Sequence, residues 1–538
     1  MKKILTAATA ALLLLNTGCS GFLDEELKSS LAPSNTYTNS YGFEVGVTGL
    51  YGLARSEFNT WGGAFATHSQ ACPYEALQVG TDIVYAGHQD GSLMPFENLT
   101  YSPSTTFVTS YWNYAYGMIA SANEILTYSE KDGVSWDKPE DKIKYQAEAR
   151  YFRAYAYRYL VYLYGDVPYV DKIEENFRVD YTRTPKAEVL GHMIEDLKFA
   201  SANLPQNPDN VVPGRLTKWA VEHLLAEIYL LAGNYSEAEA SAKNVINSGY
   251  FSLTKERFGV ATDVPGDAFS DLFIEYNQRR TNGNKETIWI MPYEYNTTGG
   301  GGANDDWSRR AWVPKYWNID GFELADSLGG RGLAQIVPLH WWADADADFF
   351  TPNDMRNSNY NIKRNWYYNN KNSAKYGQKA EITKESWDKA ELCPAVTKFF
   401  YGKADNLSYN GTNKDRTKMR LSETYLLLAE ALWRQNKMDE AASAINVVRE
   451  RANAPAITSS QVSADFILDE RIRELVGEEL RRLTLVRFGM LKERTLKYNH
   501  KTKDMQDHHA LWPIPQTIID SNTGAEFPQN PGYATGAK

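Results

Sequence analysis

The stretch AEARYFRAYAYRYLVYLYGDVPYV, Ala147–Val170, decides the fold. It holds seven tyrosines and three arginines. Tyr151, Tyr155, Tyr159 and Tyr162 recur at steps of three or four residues, and Phe152, Ala156, Leu160 and Leu163 form a neighbouring stripe at the same spacing. That period is helical. Gly165 to Pro168 then ends the element, because glycine frees the backbone and proline cannot continue a helix. A helix apolar over so much of its circumference needs neighbours on more than one side.

Two further segments supply them. LLAEIYLLAGNYSEAEASAKNVI from Leu224 aligns without a gap with LLAEALWRQNKMDEAASAINVV from Leu427. In the first copy Leu225, Ala226, Tyr229, Gly233, Tyr235 and Ala238 occupy the large and small positions of a tetratricopeptide-type repeat. The alanines let two antiparallel helices approach closely, and Gly233 allows the tight turn. The second copy keeps Leu428, Ala429 and Ala441 but carries Asn436 and Met438 at the turn. The opening stretch pairs with KAEVLGHMIEDLKFASANLP from Lys186, and FILDERIRELVGEELRRLTLVRFGML from Phe466 reads as the first helix of a further pair. Such pairs stack into a solenoid. The predicted class is mainly α, a tetratricopeptide-like helical scaffold carrying a large loop-rich, ligand-binding insertion lobe.

The insertion spans residues 251–419 and contains eight of the fourteen tryptophans. A second aromatic, glycine-rich stretch covers about 59–116 within a first region of 41–250; repeats resume over 420–538. Long irregular segments on a rigid scaffold are common carriers of binding sites.

The start of the chain, MKKILTAATAALLLLNTGCS, has two lysines, an apolar run and small residues before Cys19. This is a signal peptide over 1–18, too short to span a bilayer. The cysteine after Gly18 points to lipidation of Cys19 and a tether over 19–40, although Asn16 stands where such signals usually place leucine. Cys72 and Cys393 could pair or remain two buried thiols. A net charge of −10 argues against nucleic acid as the main partner.

Four stretches together resemble the SusD/RagB family of surface glycan-binding lipoproteins of Bacteroidetes. They are CSGFLDEE at Cys19, the tyrosine helix, RIRELVGEELRRLTLVRFGML at Arg471 and LWPIPQTIIDSNTGAEFPQNPGY at Leu511, with NDMR at Asn353 similar to a family DPR element. The resemblance covers the mature chain. It implies a lipid-anchored protein exposed on the outer membrane, with the scaffold facing a SusC-like TonB-dependent transporter and the lobe delivering a glycan without catalysis. Asp24, Glu25 and Glu26 fit the export signal of such lipoproteins.

Sugar recognition needs flat rings for the C–H face of a pyranose and planar polar groups for its hydroxyls. NDDWSRRAW and HWWADAD offer both, nominating Asn304, Trp307, Arg309, Trp312, Trp341 and Trp342, with Asp305, His340 and Asp344 beside them. Trp61, Asp82, Tyr85 and His88, with Gln89, form a second candidate wall. In an extended segment Trp341 and Trp342 point to opposite faces, so at most one of them is a platform. Trp112, Trp219 and Trp433 lie in helices and read as core. DADADFFTPNDM from Asp344 begins like a calcium loop but has Phe349 where glycine is required and Met355 where glutamate is required. No cofactor is expected, and a looser structural calcium site stays open. Two rival functions are a glycan hydrolase, which needs a carboxylate pair that sequence cannot locate, and a helical-repeat adaptor for peptides, which has no use for the tryptophan-rich lobe.

Overall fold

The computed structural model describes residues 33–59, 71–87, 91–174, 176–295, 297, 299–300, 305–402, 407–408 and 411–534. Cys19, Trp61, His88 and Asn304 lie outside them.

Helices α1 (Ser40–Arg55), α2 (Thr106–Ser129), α3 (Asp141–Leu163), α4 (Lys186–Asn203), α5 (Lys218–Ala232) and α6 (Tyr235–Ile246) form the first part of the scaffold. From α2 onward each packs on the next, and α1 lies against α2 and α3. The chain then leaves for the lobe and returns in α7 (Leu421–Arg434), which packs directly on α6 and on α8 (Met438–Arg451). Helices α9 (Ala464–Leu475), α10 (Arg481–Phe488) and α11 (Leu491–Tyr498) complete it.

The tyrosine helix is α3, and its two stripes are both buried: Tyr151, Tyr155, Tyr159 and Tyr162 as fully as Phe152 and Leu160. Most of the stripe's hydroxyls find partners in the interior, that of Tyr151 being the exception among the described residues. Tyr159 donates to Glu57 Oε2 at 2.9 Å, and Tyr162 accepts from Arg487 at 3.2 Å. The arginines tie α3 sideways, Arg153 to Asp196 of α4 at 2.7 Å and Arg158 to Glu227 of α5 at 2.9 Å. Gly165 turns the chain with φ 77°. There Trp512 N–H donates to Leu163 O, so the C-terminal segment closes the helix end.

The repeat alignment holds at backbone level. Gly233 caps α5 with φ 78°, and Asn436, its counterpart after α7, takes φ 60°. Asparagine is among the few side chains that tolerate this left-handed position. The segment from Phe466 is not one helix, however. It breaks at Gly477 (φ 79°), where an added Cβ would lie 2.5 Å from Phe399, and restarts as α10. The lobe residue Phe399 fills the space a continuous helix would need.

Among its described residues the lobe contains short helical turns and strands of two to five residues, one of which pairs with a strand from the earlier loop-rich stretch. Strands β1 (Val84–Ala86), β2 (Thr287–Met291), β3 (Ile336–Pro338), β4 (Ile362–Lys363), β5 (Trp366–Tyr367), β6 (Lys379–Ala380), β7 (Ala395–Val396) and β8 (Arg416–Arg420) form antiparallel pairs: β1 with β3, β2 with β8, β4 with β7 and β5 with β6. The β2–β8 pair closes the neck of the lobe immediately before α7.

A buried ionic joint then fixes lobe to scaffold. Arg356, from the NDMR element, meets Asp354 at 2.7 Å, Glu470 at 2.8 Å and Glu474 at 3.2 Å, all without solvent exposure. Glu474 also receives Arg420 at 2.8 Å and Arg451, while Glu286 of the lobe takes Arg420 at 2.6 Å and Arg451 at 2.8 Å. Burial pushes the Glu474 carboxyl up, but Arg451, Arg420 and Arg356 overcome it and hold the group far below the carboxylate range. Cys72 and Cys393 are separate buried thiols, and burial raises the Cys393 thiol to about 12.

Candidate functional site

The described surface has an open cleft of about 920 Å³ where the lobe meets the end of the scaffold. Three pieces of chain build it. The turn His340–Ala343, which follows β3, brings His340 and Asp344. The β5–β6 hairpin and its lead-in bring Arg364, Asn365 and Lys379, and the turn Lys384–Asp388 brings Lys384 and Trp387. His500, just beyond α11, is the scaffold's contribution.

The floor is aromatic. The His340 ring lies on the Trp387 indole with centroids 3.9 Å apart and planes 24° apart, and His500 stands 6.0 Å from His340. Trp387 is held in place by its indole N–H, which donates to Pro338 O at 2.9 Å. Burial lowers the pKa of both histidines below 6.5; Asp344 opposes the shift at His340, and Lys501 and His340 add to it at His500. Both rings are therefore neutral near pH 7. The rim is polar, so the cleft pairs flat faces with hydrogen-bonding edges.

Most of the nominated residues that the structure describes are buried, contrary to the expectation that they face a ligand. Trp307, Trp312 and Trp342 are buried at 1% exposure or less. Trp312 stacks on Phe399, and Trp307 lies under the Arg310 guanidinium. The 340–343 segment is a helical turn, not a strand, so Trp341 and Trp342 stand about 100° apart rather than on opposite faces. Their indoles donate to neighbouring carbonyls, Asp82 O at 2.6 Å and Ile83 O at 2.7 Å, and pin the turn onto the start of β1. Trp341 is half-buried and stacked on Tyr498 at 3.9 Å. Asp82 is fully buried; burial raises its carboxyl, yet Arg481 at 2.7 Å and Arg494 at 2.6 Å hold it low. Arg309 is buried as well, donating to Tyr401 O at 2.9 Å, and burial brings its pKa down to about 10. Trp341, Trp342, Asp82 and Arg309 are held by partners from segments distant in sequence, whereas the buried indole N–H groups of Trp307 and Trp312 have no hydrogen-bond partner among the described residues.

Tyr85 comes closest to its assigned place. It is buried, but its hydroxyl donates to Trp387 O at 3.1 Å and its ring meets His500 at 5.7 Å, so it props the floor from beneath. Reasoning from sequence missed Arg364, Lys379, Lys384 and His500. The signal for Arg364 was its place beside NWYYNNKNS, already singled out for aromatic content. For His500 there was none, since it arrives from a scaffold helix.

Two sequence families match the chain: one described as "SusD family" over residues 269–533, and one described as "Starch-binding associating with outer membrane" over 71–230. The chain belongs to the SusD family. It is 27% identical to SusD-like protein P2 of Formosa agariphila, covering 97% of this chain and 98% of that one. It is 24% identical to the starch-binding protein SusD of Bacteroides thetaiotaomicron, covering 95% and 94%. Among solved structures, a laminarin-binding SusD-like protein superposes with TM-score 0.69 at 20% identity, over 92% of this chain and all of that one. Surface glycan-binding protein A from B. thetaiotaomicron, in complex with laminarihexaose, gives 0.70 at 20% with the same coverage. At this identity the structural likeness establishes the shared fold.

Proposed function

We propose that this SusD-family protein binds an oligosaccharide or polysaccharide at the cell surface, in the cleft floored by His340 and Trp387, and passes it to a SusC-like TonB-dependent transporter. The observation that carries this reading is the part-exposed His340 ring, backed by the buried Trp387 indole and set beside a polar rim, in a family whose relatives are named for starch and laminarin binding. A pyranose face gains by covering flat rings, and its hydroxyls exchange water for the rim groups at little net cost. Affinity is accordingly modest at each site. The rigid ionic joint supports the role, because a lobe that holds still keeps the cleft formed before ligand arrives. Acylation of Cys19 would anchor the chain at the outer membrane. The reading needs no cofactor and no bond-making step.

Affinity electrophoresis and calorimetry against plant, host and microbial polysaccharides test it. Retention by at least one glycan is expected, with no shortening of that glycan over hours. His340→Ala should weaken binding about tenfold, equivalent to losing about 1.4 kcal/mol of contact. Full retention by the variant removes the site assignment, and chain shortening removes the non-catalytic reading.

A further inference from the structure

The charge of the cleft carries the argument further. The chain as a whole is acidic, at −10. The cleft inverts that balance: Arg364, Lys379 and Lys384 face Asp344 and Glu381 across it. Lys379 and Lys384 are exposed, and among the described residues neither is in an ion pair. Lys384 lies close enough to His340 and His500 to disfavour their protonation. The lining therefore carries a small excess of positive charge, with two of its cations exposed.

Arg364 is the most telling group. Its Nε donates to Ala343 O at 2.7 Å and its Nη1 to Asn357 Oδ1 at 2.9 Å, so both partners are neutral. Its Nη2 has no hydrogen-bond partner among the described residues. The buried arginines of the ionic joint, Arg356, Arg420 and Arg451, are by contrast matched to carboxylates at hydrogen-bonding distance. Arg364 has only the more distant Asp344 to offset it, and burial lowers its pKa to about 10. An arginine kept desolvated without a carboxylate, in the wall of an open cleft, is the arrangement that a ligand anion completes through charge-assisted hydrogen bonds.

We infer that the cleft selects an anionic glycan, one carrying carboxylate or sulfate groups, with Arg364, Lys379 and Lys384 supplying the counter-charge and the His340–Trp387 stack supplying the face. This rests on the glycan-binding reading above and names the ligand class for that same site.

The test is calorimetry of the whole protein against matched sets: neutral glucans and mannans, the uronate polymers polygalacturonate and alginate, and the sulfated polymers carrageenan and fucoidan. An acidic polymer is expected to bind at least about tenfold more tightly than any neutral one, and to weaken steeply between roughly 50 and 500 mM salt. The uronate and sulfate arms separate the two anion chemistries. The double variant Lys379→Gln/Lys384→Gln changes only exposed side chains and should lose most of the acidic-polymer affinity with an unchanged melting profile. Binding confined to neutral glycans, or acidic binding indifferent to salt and to the double variant, overturns the inference while leaving glycan binding intact. Failure to bind any polymer in the panel overturns both.

Discussion

Replacing Glu474 by glutamine tests the joint on which the cleft depends. The carboxylate accepts from Arg420 at 2.8 Å, from Arg356 at 3.2 Å and from Arg451, and all four groups are buried. Glutamine keeps the shape but removes the only charge shared by the three guanidiniums. Asp354 and Glu470 remain on Arg356, Glu286 and Glu478 on Arg420, and Glu286 on Arg451. Breaking a buried pair from one side costs about 3–5 kcal/mol when the partner is left uncompensated; each guanidinium here keeps another carboxylate, which puts the expected cost at the low end, about 3 kcal/mol. Urea unfolding followed by tryptophan fluorescence and circular dichroism should show stability reduced by that amount, read as a lower midpoint with the slope unchanged. Glu450→Gln, which removes an exposed pair with Lys255, should leave the midpoint in place. The contribution also has a pH signature. The folded pKa of Glu474 lies below its unfolded value, so the stabilisation is complete above about pH 4.3 and drains away as pH falls toward the folded value. If Glu474→Gln costs no more than Glu450→Gln, the network is not what joins lobe to scaffold, and the case for a preformed cleft goes with it.

Other expectations follow from single positions. At the left-handed turn after α7, Asn436→Val should destabilise by about 1–2 kcal/mol, since a β-branched side chain cannot take φ 60° without strain, while Asn436→Gly should stay within about 0.5 kcal/mol of the parent. A destabilised glycine variant would mean that the asparagine side chain, not its backbone tolerance, holds the turn. His509 is held neutral by burial, with His508 and Arg482 adding to the shift, and its pKa falls to about 4. Its folded pKa is below the unfolded 6.5, so stability it contributes is present above that value and is lost as pH falls through 6.5 toward 4. His509→Gln should flatten the stability profile over that window; an unchanged slope would assign the acid sensitivity to other groups.

The scaffold was legible because its code is local. The steps of three and four in Ala147–Val170 predicted a helix buried on two faces, and α3 is that helix. The gapless match between Leu224 and Leu427 predicted equivalent turns, and Gly233 and Asn436 both take the left-handed backbone. What failed was any step that needed to know which way an insertion folds back. The split at Gly477 comes from Phe399, distant in sequence. The expectation that at most one of Trp341 and Trp342 is a platform rests on an extended segment, and the segment is a helical turn with neither ring lining the cleft.

By itself, then, the order of residues settled the stacked-helix scaffold, the family and the place where a lobe interrupts the repeats, since helix period and repeat spacing involve neighbours along the chain. Which aromatics face water, and which cations stand without a carboxylate, was decided only when β1, the 340–343 turn, the β5–β6 hairpin and the end of α11 met. A tryptophan carries the same chemistry in a core as in a cleft. Its surroundings come from segments far apart in sequence, and Trp342 and Trp387, both buried in large part, differ in role because only one has an open cleft and a stacked histidine above it.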